Sequence, residues 1–108
     1  LYFPNLESLN LENNHLSSLD RLIFKDLSRR LSILNLDYND FSIIQNQTFI
    51  YLENIFQLSM AHNKIYLIES DAFYGCIRLK NLILNNNLIR DLNEDIFLSL
   101  VSLENLYL

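Results

Sequence analysis

The sequence predicts an α/β solenoid, a coil of short repeats stacked one on another, and three observations predict it. Asparagine recurs in register at Asn14, Asn39, Asn63 and Asn87, stepping by 25, 24 and 24 residues, and phenylalanine recurs with the same steps at Phe24, Phe49, Phe73 and Phe97. A period-two apolar alternation precedes each asparagine and returns once more at the end of the chain: Leu9/Leu11, Leu34/Leu36, Leu58/Met60, Leu82/Leu84 and Leu106/Leu108. The 108 residues contain 24 leucines and 15 asparagines but one glycine and one proline, so the turns are made by something other than the usual breakers.

Each repeat reads as three elements in a fixed order. The alternation is the period of a short strand with one buried face, and identical strands at a fixed spacing can stack into a parallel sheet at about 4.8 Å per strand. After the strand the chain must turn inward, which brings backbone N–H and C=O groups into the interior without water. A short carboxamide supplies both donors and an acceptor there, so Asn14, Asn39, Asn63 and Asn87 are expected to form a ladder. The return segment carries Phe24, Phe49, Phe73 and Phe97, whose rings are expected to fill the back of the coil. In this frame the repeats span 6–30, 31–54, 55–78 and 79–102, with a partial fifth at 103–108, all in one array over 1–108. The one extra residue of the first repeat falls between Leu27 and Leu31, around Arg29 and Arg30.

The pattern L-x-x-L-x-L-x-x-N-x-L-x-x-L, with phenylalanine ten residues after the asparagine, resembles the leucine-rich repeat family over practically the whole chain. The resemblance implies a curved right-handed coil, with short parallel strands on the concave face and irregular or 3-10 segments on the convex face. The repeat length with its phenylalanine resembles the subclass of extracellular and receptor ectodomains found in Toll-like receptors, adhesion proteins and matrix proteoglycans. The stretch "AFYGCIRL" also resembles a bacterial surface subclass, which does not share the asparagine step.

Subtracting the scaffold leaves the outward side chains of the strands and of the turns after them. A solenoid of this kind leaves one sheet face open to a partner. The candidate partner-binding residues are Glu12, Ile33, Asn35, Asp37, Tyr38, Gln57, Ser59, His62, Asn81, Ile83 and Asn85. Amides with a few aromatic and aliphatic anchors suit protein or peptide recognition. In the "LNNNLI" stretch Asn87 is the ladder residue, while Asn85 and Asn86 are expected on the open face. Paired changes at Asp37 and Tyr38 are expected to weaken binding while costing less than about 0.5 kcal/mol of stability, as for exposed positions.

Other functions find little support. A net charge of −5, with only eight scattered Lys and Arg residues, argues against nucleic acid as a partner. His15 and His62 occupy different positions in their repeats and have no matched nucleophile or carboxylate, so no catalytic residue is assigned and the chain is not expected to be an enzyme. No His/Cys spacing suits a metal, no glycine-rich phosphate loop suggests a cofactor, and the single Cys76 replaces a core leucine. No apolar run is long enough for direct membrane insertion, although the parent protein can be anchored elsewhere.

"NQT", Asn46 to Thr48, fits the N-glycosylation sequon and falls on the return segment. Together with the resemblance it points to an extracellular or cell-surface protein. Ectodomains of this kind carry cysteine-rich caps, which the chain lacks, so it is expected to be an internal piece of a longer array that is marginally stable alone. Two functions compete: a recognition module of a secreted or cell-surface protein, and a regulatory or targeting segment of a cytoplasmic multidomain enzyme or scaffold. Flanking sequence separates them.

Overall fold

The computed structural model describes residues 2–27 and 29–108. Five three-residue strands, β1 (Ser8–Asn10), β2 (Ile33–Asn35), β4 (Gln57–Ser59), β6 (Asn81–Ile83) and β7 (Asn105–Tyr107), form one sheet in the order β1-β2-β4-β6-β7. Every pairing is parallel and in repeat register, so that Leu9, Leu34, Leu58, Leu82 and Leu106 occupy one column. Parallel strands need a crossover, and here each return segment is that crossover. The polypeptide is therefore a stack of coils.

The inward leucine columns form the core. Leu34, Leu36, Leu58, Met60, Leu82 and Leu84 are all buried, whereas Leu9, Leu11 and Leu106 in the outer coils are only partly covered. On the back, the Phe24 and Phe49 rings lie 6.3 Å apart, and those of Phe49 and Phe73 lie 6.1 Å apart and nearly parallel at 9°. Burying such a ring contributes about 1.5–3 kcal/mol. Phe97 departs from the expected column. It is half-buried, no ring contact joins it to Phe73 among the described residues, and Ile96 takes the buried place in its 3-10 helix, Glu94–Phe97. That helix is set by Asn93, whose side chain accepts from the Asp95 N–H.

Return segments differ from coil to coil. The first contains a four-residue helix, α1 (Leu22–Lys25), and the second and third are turns. Between the strand and these turns lies a second, two-stranded parallel ladder, β3 (Ile43–Ile44) with β5 (Leu67–Ile68), absent from the sequence-based expectation. Its residues Ile44 and Ile68 point inward and are buried. The extra residue of the first repeat falls in part on Ser28, outside the described residues.

Gly75 is the one position where the turn demands glycine. Its φ is +96°, and a Cβ placed there would sit 2.7 Å from the Ile50 carbonyl oxygen of the coil beside it.

A candidate recognition face on the open sheet

The asparagine ladder fixes where the open face begins. The Asn39 amide donates to the Leu36 and Asp37 carbonyls of its own coil and to the Leu11 carbonyl of the coil before, and its Oδ1 accepts from the Asn14 and Leu16 N–H groups. Asn63 repeats this, donating to the carbonyls of Met60, Ala61 and Leu36 and accepting from the Phe41 N–H. Asn87 donates to Met60, Leu84 and Asn85 and accepts from Ile65. Each rung ties two coils together and satisfies interior backbone groups. Asn14 makes only the intracoil half, to Leu11 and Glu12, and is exposed. It is the outermost rung of the described ladder.

The residue before each rung is forced into a left-handed turn: φ is +60° at Asn13, +55° at Tyr38, +55° at His62 and +59° at Asn86. Asparagine tolerates this conformation, whereas a bulky aromatic there is uncommon. The turn aims the four side chains outward as an exposed column beside the sheet. In it the Tyr38 and His62 rings stack, with centroids 4.3 Å apart and planes within 4°. The Asn86 amide nitrogen lies 3.2 Å from His62 Nε2, continuing the contact into the next coil. Sequence reasoning placed these residues outside but missed their left-handed backbone. Asn13 and Asn86 were the available signal, since asparagine is the common non-glycine residue at such turns.

One column inward, the exposed ends of the strands are held by side-chain acceptors. Asn10 Oδ1 accepts from the Glu12 N–H at 3.0 Å and Asn35 Oδ1 from the Asp37 N–H at 2.9 Å. In the third coil serine replaces that asparagine, and Asp37 reaches across instead, its Oδ1 accepting from the Ala61 N–H at 2.8 Å and from the Ser59 hydroxyl. Two expectations are thereby corrected. Asp37 is half-buried and bonded to the neighbouring coil, so its replacement is expected to cost stability. Ser59 is only 6 % exposed, so a partner reaches its hydroxyl only by displacing the Asp37 carboxylate.

The remaining candidates share this face. Ile33 is exposed, while Asn35, Gln57, Asn81, Ile83 and Asn85 are half-buried, and Glu12 is exposed with its carboxylate near the Asn10 and Asn35 amides. Asn105 donates to Asn81 Oδ1 at 2.7 Å. Gln57, Asn81, Ile83, Asn85 and Tyr107 line one shallow depression. Asn46 lies elsewhere, on the return side, with its Oδ1 accepting from the Asp71 N–H and its residue exposed. Among the described residues no group of three His, Cys, Asp or Glu side chains could hold a metal ion, and no helix is long and apolar enough to cross a membrane.

Burial pushes the Cys76 thiol up to about 12, and its sulfur sits 3.8 Å from the Phe49 carbonyl oxygen inside the coil. Hydrogen bonding to Lys64, partly offset by desolvation, holds the Asp40 carboxyl below its usual range, with the Lys64 charge and His15 assisting. These groups lie outside the open strand columns.

Two solved structures share the arrangement. The chain superimposes on a structure of TLR13 in complex with ssRNA13 with a TM-score of 0.87 and 28 % identity, covering 93 % of this chain and 14 % of that one. It also superimposes on the Toll–Spatzle complex of Drosophila with a TM-score of 0.71 and 33 % identity, covering 89 % of this chain and 13 % of that one. The chain thus spans about one-seventh of either receptor chain. No curated protein matches the sequence significantly. The profile described as "Leucine rich repeat" matches residues 4–65 and 62–108, nearly the entire length, and the chain belongs to the leucine-rich repeat family, with repeats of the kind found in Toll and Toll-like receptors.

Proposed function

We propose that the chain is a recognition module of a secreted or cell-surface protein, and that it binds a protein partner through the open, concave face of its five-stranded sheet. The observation that carries this reading is the composition of the face. Amide side chains at Asn35, Gln57, Asn81, Asn85 and Asn105 share the face with the exposed Tyr38 and Tyr107 and the aliphatic Ile33 and Ile83. Aromatic anchors supply binding energy and amides supply directional contacts, a combination common at protein interfaces.

The Toll neighbour is in complex with the protein Spatzle, and the TLR13 neighbour with single-stranded RNA. The fold is therefore no ground for excluding nucleic acid, and that part of the sequence-based expectation loses its generality. What favours protein here is charge: the face columns contain Glu12 and Asp37 but no Lys or Arg, and phosphate binding depends on those cations. The secretory assignment is supported by the exposed Asn46 of the Asn-Gln-Thr sequon, on the side away from the sheet.

A photo-crosslinking residue at Gln57 tests the face, with one at Tyr74 on the return side as control. The expected result is a discrete protein adduct from Gln57, whose affinity for the chain falls by about tenfold or more on paired arginine substitution at Gln57 and Asn81. Adducts from Tyr74 alone would move the interface to the other side. Mass spectrometry of Asn46 after secretion from eukaryotic cells tests the compartment, and a consistently bare Asn46 would count against it.

A further inference from the structure

The open face is uncompensated in charge at one end. Glu12 and Asp37 occupy the same column in adjacent coils, and neither belongs to any of the four ion pairs found among the described residues. Lys64 pairs with Asp40 at 3.1 Å and Arg30 with Glu7 at 2.7 Å. Both contacts of Asp37 use Oδ1, which leaves Oδ2 unoccupied. The Glu12 oxygens receive only the long contacts of 3.3 and 3.4 Å from the Asn10 and Asn35 amides.

The aromatic column follows these carboxylates directly in the repeat. Tyr38 directly follows Asp37 in the chain, and the Asn13 N–H donates to the Asp37 carbonyl at 3.2 Å, which holds the turn of the first coil against that of the second. Tyr38 stacks on His62 in the third coil, so one face of its ring is taken and the other lies toward the first coil, where the column holds the short side chain of Asn13. The ring is held by this stack, and the residue is 51 % exposed. A stacked, half-exposed tyrosine one position along the repeat from two carboxylates that lie outside every described ion pair is complementary to a planar cation that stacks and donates at once.

Resting on the reading that this face binds a protein, we infer that its specificity anchor is an arginine side chain of the partner, with the guanidinium over the free face of Tyr38 and its N–H groups directed at Glu12, while the Asp37 carboxylate, turned toward the third coil, adds negative charge to the same end of the face. Guanidinium meets these demands better than ammonium. It is planar, so it lies flat on a ring, and its five donors can serve both oxygens of a carboxylate while it stacks. A nucleobase could use the ring, but the phosphate attached to it would face two carboxylates without a cation to offset them.

The test is titration of the isotope-labelled chain with three probes, Nα-acetyl-arginine amide, Nα-acetyl-lysine amide and adenosine monophosphate, followed by NMR. Arginine amide is expected to shift the Glu12, Asp37 and Tyr38 amide signals, and to bind more tightly than lysine amide by about threefold, the scale of an exposed cation–π contact. Tyr38→Ala and Glu12→Gln should each weaken it by a similar factor while leaving signals of the asparagine ladder in place. Equal response to lysine, absence of localised shifts, or stronger binding of the nucleotide at the same amides would overturn the inference. A partner still crosslinked through Gln57 in that event would leave the protein-recognition reading standing, so the two fail separately.

Discussion

The Asp37 carboxylate accepts the Ser59 hydroxyl at 2.5 Å and thereby joins two coils at the surface of the sheet. The same oxygen receives the Ala61 N–H, so one side chain satisfies a buried hydroxyl and a buried residue's backbone donor. Asp37→Ala is expected to destabilise the chain by about 1–3 kcal/mol, the cost of leaving such groups without partners. Adding Ser59→Ala should recover part of that loss, because the hydroxyl left unpaired is then gone. Urea denaturation of the two variants checks this, and a single variant within experimental error of the parent would show that water replaces the carboxylate without cost.

Tyr38 and His62 expose a different balance. Each sits at φ +55°, which costs a non-glycine residue about 1–2 kcal/mol, while their stacking returns about 0.5–1.5 kcal/mol. Tyr38→Asn relieves backbone strain and loses the stack, so its net effect on stability should be small, within about 1 kcal/mol either way. Tyr38→Val has no such relief, since a β-branched side chain is poorly accommodated at positive φ, and it should be the more destabilising of the two. Thermal melts of both variants decide the matter, and the reverse order would contradict the strain argument.

Asn63 and Asn14 occupy the same repeat position with different surroundings. Asn63 is 8 % exposed and its carboxamide makes four hydrogen bonds across two coils, whereas Asn14 is exposed and its carboxamide donates only within its own coil. Asn63→Ala is expected to cost about 2–4 kcal/mol, and Asn14→Ala less than about 1 kcal/mol. Equal losses in denaturant titrations would mean that the ladder does not work through burial.

The ladder and the phenylalanine column were legible in the sequence because stacking imposes the same environment on every coil, and equal environments select equal residues. That reasoning fails wherever one coil differs from the next. Ile96 displaces Phe97 from the buried place because Asn93 starts a 3-10 helix that, among the described residues, the fourth coil alone has. The β3–β5 ladder is two residues long, too short for a period-two pattern to register. The open face was legible as a set of columns, since outward positions follow from alternation, but not in its contacts. The Asp37–Ser59 bond depends on a serine standing where the first two coils have asparagine, and the Tyr38–His62 stack on two unlike residues meeting across a turn.

Gly75 tests the geometry of the return side. An added Cβ would approach the Ile50 carbonyl oxygen to 2.7 Å and its Cα to 3.0 Å, both backbone atoms that cannot move without shifting the second coil. The φ of +96° adds strain for any side chain. Gly75→Ala is therefore expected to cost about 2 kcal/mol or more, read as a lowered urea midpoint at unchanged slope. A neutral result would imply that the two return segments are further apart than described.

Cys76 makes the interior measurable by pH. Desolvation raises its thiol to about 12 from the ordinary 9.0, because the thiolate has no solvent inside the coil. In the unfolded chain the thiol ionises near its ordinary value, so above pH 9 the unfolded state holds fewer protons than the folded one. Its contribution to stability is then complete below pH 9 and falls as pH rises toward 12. Cys76→Ala removes this slope and leaves a smaller side chain in the core, so it should lower stability at neutral pH while flattening the alkaline decline. Maleimide labelling gives an independent reading: the folded chain should label slowly at pH 8 and rapidly in denaturant, since reaction requires both exposure and thiolate. Rapid labelling under native conditions would show that the third coil opens at equilibrium far more often than a buried thiol between the Phe49 and Phe73 coils allows.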